Sequence, residues 1–199
     1  IRGVIPEIDV ISDLNITDEF DHLRLHPDIH HVFFPFDWRK FEPVPKKQDT
    51  VKLIIGHAPT NRLAKGSDII IPIIEKLAQE YPIELLLIEK MSYEQALRQK
   101  ARCDIFVDQI GDLGYGINSL EALAMEIPVC SCLAPGFAEK YPHHPFIVVD
   151  ARNLRHKLIE LIGDKKKRQK VGIAGRKWVQ EHHDARKIVR RIHELAGIA

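Results

Sequence analysis

Short apolar runs alternate with longer amphipathic stretches along most of the chain, and this alternation predicts strands joined by helices. Residues 105–107, Ile-Phe-Val, are too short for a helix and suit a strand buried on both faces. Gly111, Gly114 and Gly116 follow, where a missing Cβ lets the backbone take positive φ and approach a ligand closely. Residues 117–126 then read as a helix, with Leu120, Leu123 and Ala124 at helical spacing and Pro128 ending it. The same alternation recurs on either side. A strand at 51–57 ends in Gly56 and His57 and leads to a helix at 69–79 with Ser67 as its cap. A strand at 83–88 leads to a helix that begins at Tyr93 and Glu94 behind the cap Ser92. Cys130 and Cys132 alternate on a further strand, a last strand covers 146–149, and Leu154, Leu158 and Leu161 mark a helix at 153–162. Parallel strands alternating with helices predict a Rossmann-like, doubly wound parallel α/β sheet.

The flanks carry weaker patterns. Before residue 46 the chain suggests a strand at 4–10, a short helix at 17–25 with Asp18 and Glu19 in its first turn, and a strand at 31–34. Pro43, Pro45, Lys46 and Lys47 continue as a linker. Residues 137–144 are polar and proline-bearing, which predicts a surface loop. The basic run at 164–170 reads as the solvated start of a helix, with an acidic membrane surface as the alternative partner. From Val171 onward one or two helices carry Trp178, Val179, Ile188, Val189 and Ile192 as apolar positions.

Composition narrows the function. With 199 residues and 45% hydrophobic content the chain can hold one good core, or one domain with an appendage. A net charge of +1 and the absence of any RNA or DNA motif exclude a nucleic-acid protein. No apolar run approaches the roughly 20 residues of a spanning helix, and three cysteines point to a reducing cytosol rather than a disulfide framework. Buried free thiols fit those cysteines better than a metal site. His143 and His144 are adjacent and point apart, so they do not form a metal site by themselves.

The candidate chemistry gathers at predicted strand ends, where open α/β sheets bind ligands. Arg62 and Lys65 follow the first core strand in the stretch GHAPTNRLAKGSD and suit a diphosphate: Arg offers a planar fork, Lys a mobile point charge. Taken alone, they read equally as solvated cations. His57 is either a hydrogen-bonded structural residue or a ligand contact. Met91 and Tyr93 could pack on a nucleotide base or on the protein itself. The glycine loop feeding the helix at Ile117 and Asn118 is a ready anion site, with Glu121 just beyond its first turn. The plain alternative is a β-α-β crossover whose glycines serve tight turns only.

The order of these residues decides between the two. YGINSLEALAMEIPV resembles the nucleotide-sugar signature of the retaining glycosyltransferases of family 4, also called group 1, through Gly116, Glu121-Ala122-Leu123-Ala124 and Pro128-Val129. HAPTNRLAKGSD resembles the Arg and Lys-Gly element of that family, and HVFFPFDWRKFEP its interdomain hinge. The resemblance spans about Phe34 to Trp178. It implies the C-terminal half of a GT-B fold, with residues 1–45 as the end and hinge of a first domain and 46–199 as the nucleotide-sugar-binding domain. It further implies transfer of a sugar from a UDP- or GDP-type donor to a sugar or lipid-linked acceptor, with retention and without metal or cofactor. An N-terminal acceptor domain would be the partner, and the location cytoplasmic, at the inner membrane face if peripheral. Arg62 and Lys65 are the implied diphosphate contacts. Gly56, His57, Met91, Gly116, Ile117 and Asn118 line the implied site, and Glu121 accepts from ribose hydroxyls. Two positions depart from the family pattern: Leu113 stands where it has its first glutamate, and Glu126 where it has a glycine. Asp108, Gln109 or Asp112 would then complete the donor pocket.

Two other classes compete. A binding module without chemistry shares every feature above except turnover. A dinucleotide oxidoreductase fits poorly, because the glycines run G-x-x-G-x-G after the third core strand, reversed and displaced from the usual fingerprint.

Overall fold

The computed structural model describes residues 12–44, 52–111 and 114–198. The expected strand at 4–10, the linker residues Pro45, Lys46 and Lys47, and Asp112 and Leu113 lie outside them. Strands β1 (Ile16–Thr17) and β2 (His30–His31) pair parallel in a small N-terminal sheet. The main body runs β3 (Leu53–His57), α1 (Arg62–Lys65), α2 (Ser67–Glu80), β4 (Ile83–Leu87), α3 (Tyr93–Lys100), β5 (Ile105–Val107) and α4 (Ile117–Ala124). It continues through β6 (Val129–Ser131), α5 (Phe137–Lys140), β7 (Ile147–Val148), α6 (Leu154–Gly163), α7 (Lys165–His182) and α8 (Ala185–Leu195). The five strands β3 to β7 form one parallel sheet in the order β4-β3-β5-β6-β7.

Strand alternation sorts the core into two layers. Ile105 and Val107 face one side with Ile70, Ile74 and Leu77 of α2 and Leu154, Leu158 and Leu161 of α6. Phe106, between them, faces the other with Leu120 and Leu123 of α4 and Trp178 and Val179 of α7. This is the period of two that makes a short apolar strand useful to both faces. From β3 the chain crosses to the edge strand β4 and returns past β3 to β5, so the connections leaving β3 and β5 diverge. The crevice opens at that switch point.

Several local expectations change. The predicted helix at 17–25 is instead β1 followed by a tight 3₁₀ turn, Phe20–Arg24, because Thr17 is extended against His31 and its hydroxyl accepts from the Glu19 amide at 3.1 Å. The strand expected at 31–34 contracts to β2. Ser67 is not a cap: Gly66, at φ +70°, joins α1 to α2. The cations Arg62 and Lys65 sit not in an open loop but on α1, whose first amides, Leu63 and Ala64, donate to the Asn61 side chain at 3.0 and 3.1 Å. The predicted surface loop at 137–144 contains α5, and Phe137 is buried edge-on to Phe20 at 5.3 Å.

The helix expected to reach residue 126 ends at Ala124. Glu126 takes a left-handed conformation, φ +61°, its amide donating to Leu123 O (3.0 Å) while that of Ile127 donates to Ala122 O (2.9 Å). This is the paired closure that usually places glycine at the left-handed position. The tail comprises two helices, and the basic run does begin the first of them, with Asp164 capping α7 and Arg168 donating to the Ile162 carbonyl of α6 at 3.0 Å. The hinge-like stretch docks on the junction of α7 and α8: the Phe36 amide donates to His183 O (2.8 Å), and the Trp38 indole (2.9 Å) and Arg39 guanidinium (2.7 Å) donate to Asp184. Among the described residues no helix is long and apolar enough to cross a membrane.

Candidate functional site

The crevice at the carboxyl ends of β3, β4 and β5 encloses about 1030 Å³. Arg62 and Lys65 line one side, Met91 and Tyr93 another, and Ile117, Asn118 and Glu121 of α4 form the third. Lys100, at the end of α3, closes the base. Residues far apart in sequence meet here because every contributing loop leaves the same end of a parallel sheet.

A buried polar network holds the floor. The Lys100 ammonium donates to Asn118 Oδ1 at 2.7 Å and to Glu121 Oε2, and the Tyr93 hydroxyl donates to Glu121 Oε1 at 2.9 Å. Asn118 in turn donates through Nδ2 to the Ala58 carbonyl at 3.0 Å, tying α4 to the end of β3. Lys100 and Glu121 side chains are 1% and 4% exposed, so each supplies what the other lost on leaving water. Partial burial, and then the hydrogen bond to Glu121, push the Tyr93 hydroxyl up to about 12.

A second network lies under the start of α4. Asp108, fully enclosed, accepts from Lys65 at 2.8 Å through Oδ1, and from the Gly116 amide (3.0 Å) and Ser119 hydroxyl (2.6 Å) through Oδ2. The helix start expected to receive a ligand anion therefore already holds a carboxylate of the chain. Burial alone would raise Asp108, but Lys65, with the hydrogen bonds from Ser119 and Gly116, holds it below the usual carboxylate range. Lys65 also donates to Gln109 Oε1, and Gln109 donates to the Gly114 carbonyl. Arg62 forks onto Glu89 through Nε (3.0 Å) and a terminal nitrogen (2.7 Å) at the crevice rim.

Other predicted residues serve the scaffold. A Cβ on Gly56 would lie 2.3 Å from Cys103 Sγ, so glycine is needed for packing across β3. His57 is wholly buried: its Nδ1–H donates to Val107 O (2.9 Å), which makes Nε2 the acceptor of the Ser67 hydroxyl (2.8 Å). Burial lowers its ring below the usual histidine range, keeping it neutral. Of the three loop glycines only Gly114, at φ +107°, uses the left-handed region. Gly111 is bare for a different reason: a Cβ there would meet Ala64 O at 2.7 Å and the Gly66 amide at 2.8 Å. Among the described residues no three metal-ligating side chains converge.

No family model matches the sequence. No curated protein matches it. Solved structures do match. Anabaena Alr3699/HepE, in complex with UDP and glucose, superposes with a TM-score of 0.70 over 94% of this chain and 64% of its own, at 14% identity. A mutant of S. aureus TarM, in a complex that includes UDP, gives 0.67 over 94% of this chain and 44% of its own, also at 14% identity. Sucrose-phosphate synthase from Thermosynechococcus elongatus gives 0.66 over 92% and 57%, at 16% identity.

The fold is that of a GT-B C-terminal half. The chain spans between 44% and 64% of the length of these three neighbours.

Sequence reasoning passed over Lys100 and Glu89. A signal existed for the first. Tyr93 and Lys100 lie two turns apart on α3, and Asn118 and Glu121 one turn apart on α4, so each pair shares a face.

Proposed function

We propose that this chain is the donor-binding half of a family 4 glycosyltransferase, moving a sugar from a nucleotide diphosphate to a sugar or lipid-linked acceptor with retention and without a divalent metal. The observation that carries the reading is the convergence of Arg62, Lys65, Asn118 and Glu121 on one crevice at the sheet's switch point. A lysine has three N–H donors and an arginine five. Asp108 and Gln109 engage two from Lys65, and Glu89 engages two from Arg62, so both cations retain donors for phosphate oxygens. Those cations would stabilise the charge that grows on the leaving diphosphate. Glu121 takes the ribose, and Met91 and Tyr93, half-exposed and exposed beside it, take the base. An N-terminal acceptor domain supplies the acceptor. The cytoplasm, with peripheral contact at the inner membrane face through the basic run of α7, is the expected location.

Two neighbours were solved with UDP, which makes it the first nucleotide to test. Calorimetric titration with UDP, GDP and their sugar conjugates, in metal-free buffer, should show one nucleotide family binding. Lys65→Ala and Glu121→Ala should each weaken it by roughly tenfold to a hundredfold, the contribution of a charge-assisted contact. A folded chain that binds none of them overturns the reading.

A second reading, a binding module without chemistry, is favoured by the internal carboxylates already facing both cations. Donor consumption that depends on an added acceptor, assayed on the full-length protein, separates the two.

A further inference from the structure

We infer that Lys100 is a positioning residue that presents Glu121 to the ribose of a nucleotide and so makes the crevice selective for ribonucleotides over 2′-deoxyribonucleotides. The inference rests on reading the crevice as a nucleotide site.

Lys100 belongs to none of the loops that open on the crevice. It arrives from the last turn of α3, with its ammonium donating to Asn118 and Glu121 and lying 5.2 Å from the centre of the Phe106 ring. A long, flexible side chain seldom gives up water so completely, and a pair of this kind adds little net stability over an apolar replacement. What it does supply is direction. With Lys100 on Oε2 and Tyr93 on Oε1, the Glu121 carboxylate is held at both oxygens against the crevice floor. Each carboxylate oxygen can accept two hydrogen bonds. One acceptor position therefore remains on each, side by side, and two adjacent acceptors match the two adjacent hydroxyls of a ribose. The same ammonium fixes the Asn118 amide: its oxygen faces Lys100, so its nitrogen must face Ala58 O. Without Lys100, both Glu121 and Asn118 lose the group that orients them.

A purely structural lysine and a positioning lysine differ in one readout. General loosening of the floor lowers affinity for every nucleotide alike. Loss of the ribose contact lowers it more for ligands that have both hydroxyls than for those that lack one.

The test is calorimetric titration with UDP against 2′-deoxy-UDP, and GDP against 2′-deoxy-GDP, on wild-type protein and on Lys100→Met. Wild type should prefer the ribonucleotide by about tenfold, the scale of one charge-assisted hydrogen bond. Lys100→Met should bring the ratio near one by lowering affinity for the ribonucleotide more than for the deoxy ligand, which has only the 3′ hydroxyl to lose. If Lys100→Met does not fold, Lys100→Gln, which keeps a donor but not the charge, is judged by whether the ratio falls. A variant that retains the wild-type ratio, or that loses both ligands in equal measure, overturns the inference. So does a wild-type protein that binds both sugars equally, an outcome that leaves the nucleotide site standing. Binding of no diphosphate at all by folded wild type removes the proposed function and this inference together.

Discussion

Lys65 Nζ lies 2.8 Å from Asp108 Oδ1, and through that contact a candidate ligand-binding cation is fixed to the start of α4. Asp108→Asn puts an amide nitrogen against either the Lys65 ammonium or the Gly116 amide, donor facing donor, and leaves Lys65 without its counter-charge. We expect a loss of about 3 kcal/mol in urea unfolding with an unchanged denaturant slope, the scale of a broken buried pair. An unaltered midpoint would show that Asp108 is not holding the helix start.

Arg62 stands in the opposite case. It is exposed, and its partner Glu89 sits at the rim, so the pair contributes little to folding. Arg62→Ala should leave the unfolding midpoint where it is and weaken UDP or GDP binding by about tenfold or more. Equal affinity for variant and wild type would remove Arg62 from the diphosphate site.

Asp184 governs part of the acid stability. Burial would raise its carboxyl, but the Trp38 indole and Arg39 guanidinium outweigh that and hold it at about 2. An unfolded aspartate titrates near ~3.9. The contribution is therefore fully present above pH ~4 and is lost as pH falls through about 2, where the folded carboxylate also takes a proton. Asp184→Asn should be less stable than wild type at neutral pH, with the gap between their unfolding midpoints closing as pH is lowered across that window. A gap that is independent of pH would show that the Asp184 charge is not the cause.

Glu126 is strained where it stands. A residue with a Cβ held at φ +61° costs on the order of 1 kcal/mol relative to glycine, and its carboxylate sits at the negative end of α4. Glu126→Gly should raise stability by about 1 kcal/mol, read as a higher melting temperature. The helix-closing bonds from the Glu126 and Ile127 amides should persist, read as unchanged amide exchange protection. A drop in stability would mean that the Glu126 side chain makes a contact worth more than the strain.

The sequence by itself determined the fold class and the strand ends at which the crevice opens. Apolar runs of β-branched and aromatic residues, such as Ile105-Phe106-Val107, carry their two-faced burial in their composition, and capping signals such as Ser92 with Gln95 are local enough to read without a partner. The crevice residues Arg62, Lys65, Asn118 and Glu121 were legible because each follows a strand, and parallel strands all present their carboxyl ends on one side. The tertiary structure decided which charges face which. Lys100 looks like a solvated helix residue until α3 packs on α4 and buries it against Glu121. Asp108 looks like a ligand contact until the turn of β5 places it beneath Gly116 and Ser119. His57 looks like a crevice residue until Val107 and Ser67 occupy both of its nitrogens. Glu126, Gly56 and Gly111 likewise take their meaning from neighbours distant in sequence or from a backbone angle. A pairing between buried polar groups depends on distances set by packing, and hydrophobic periodicity fixes which face a residue occupies but not what it meets there.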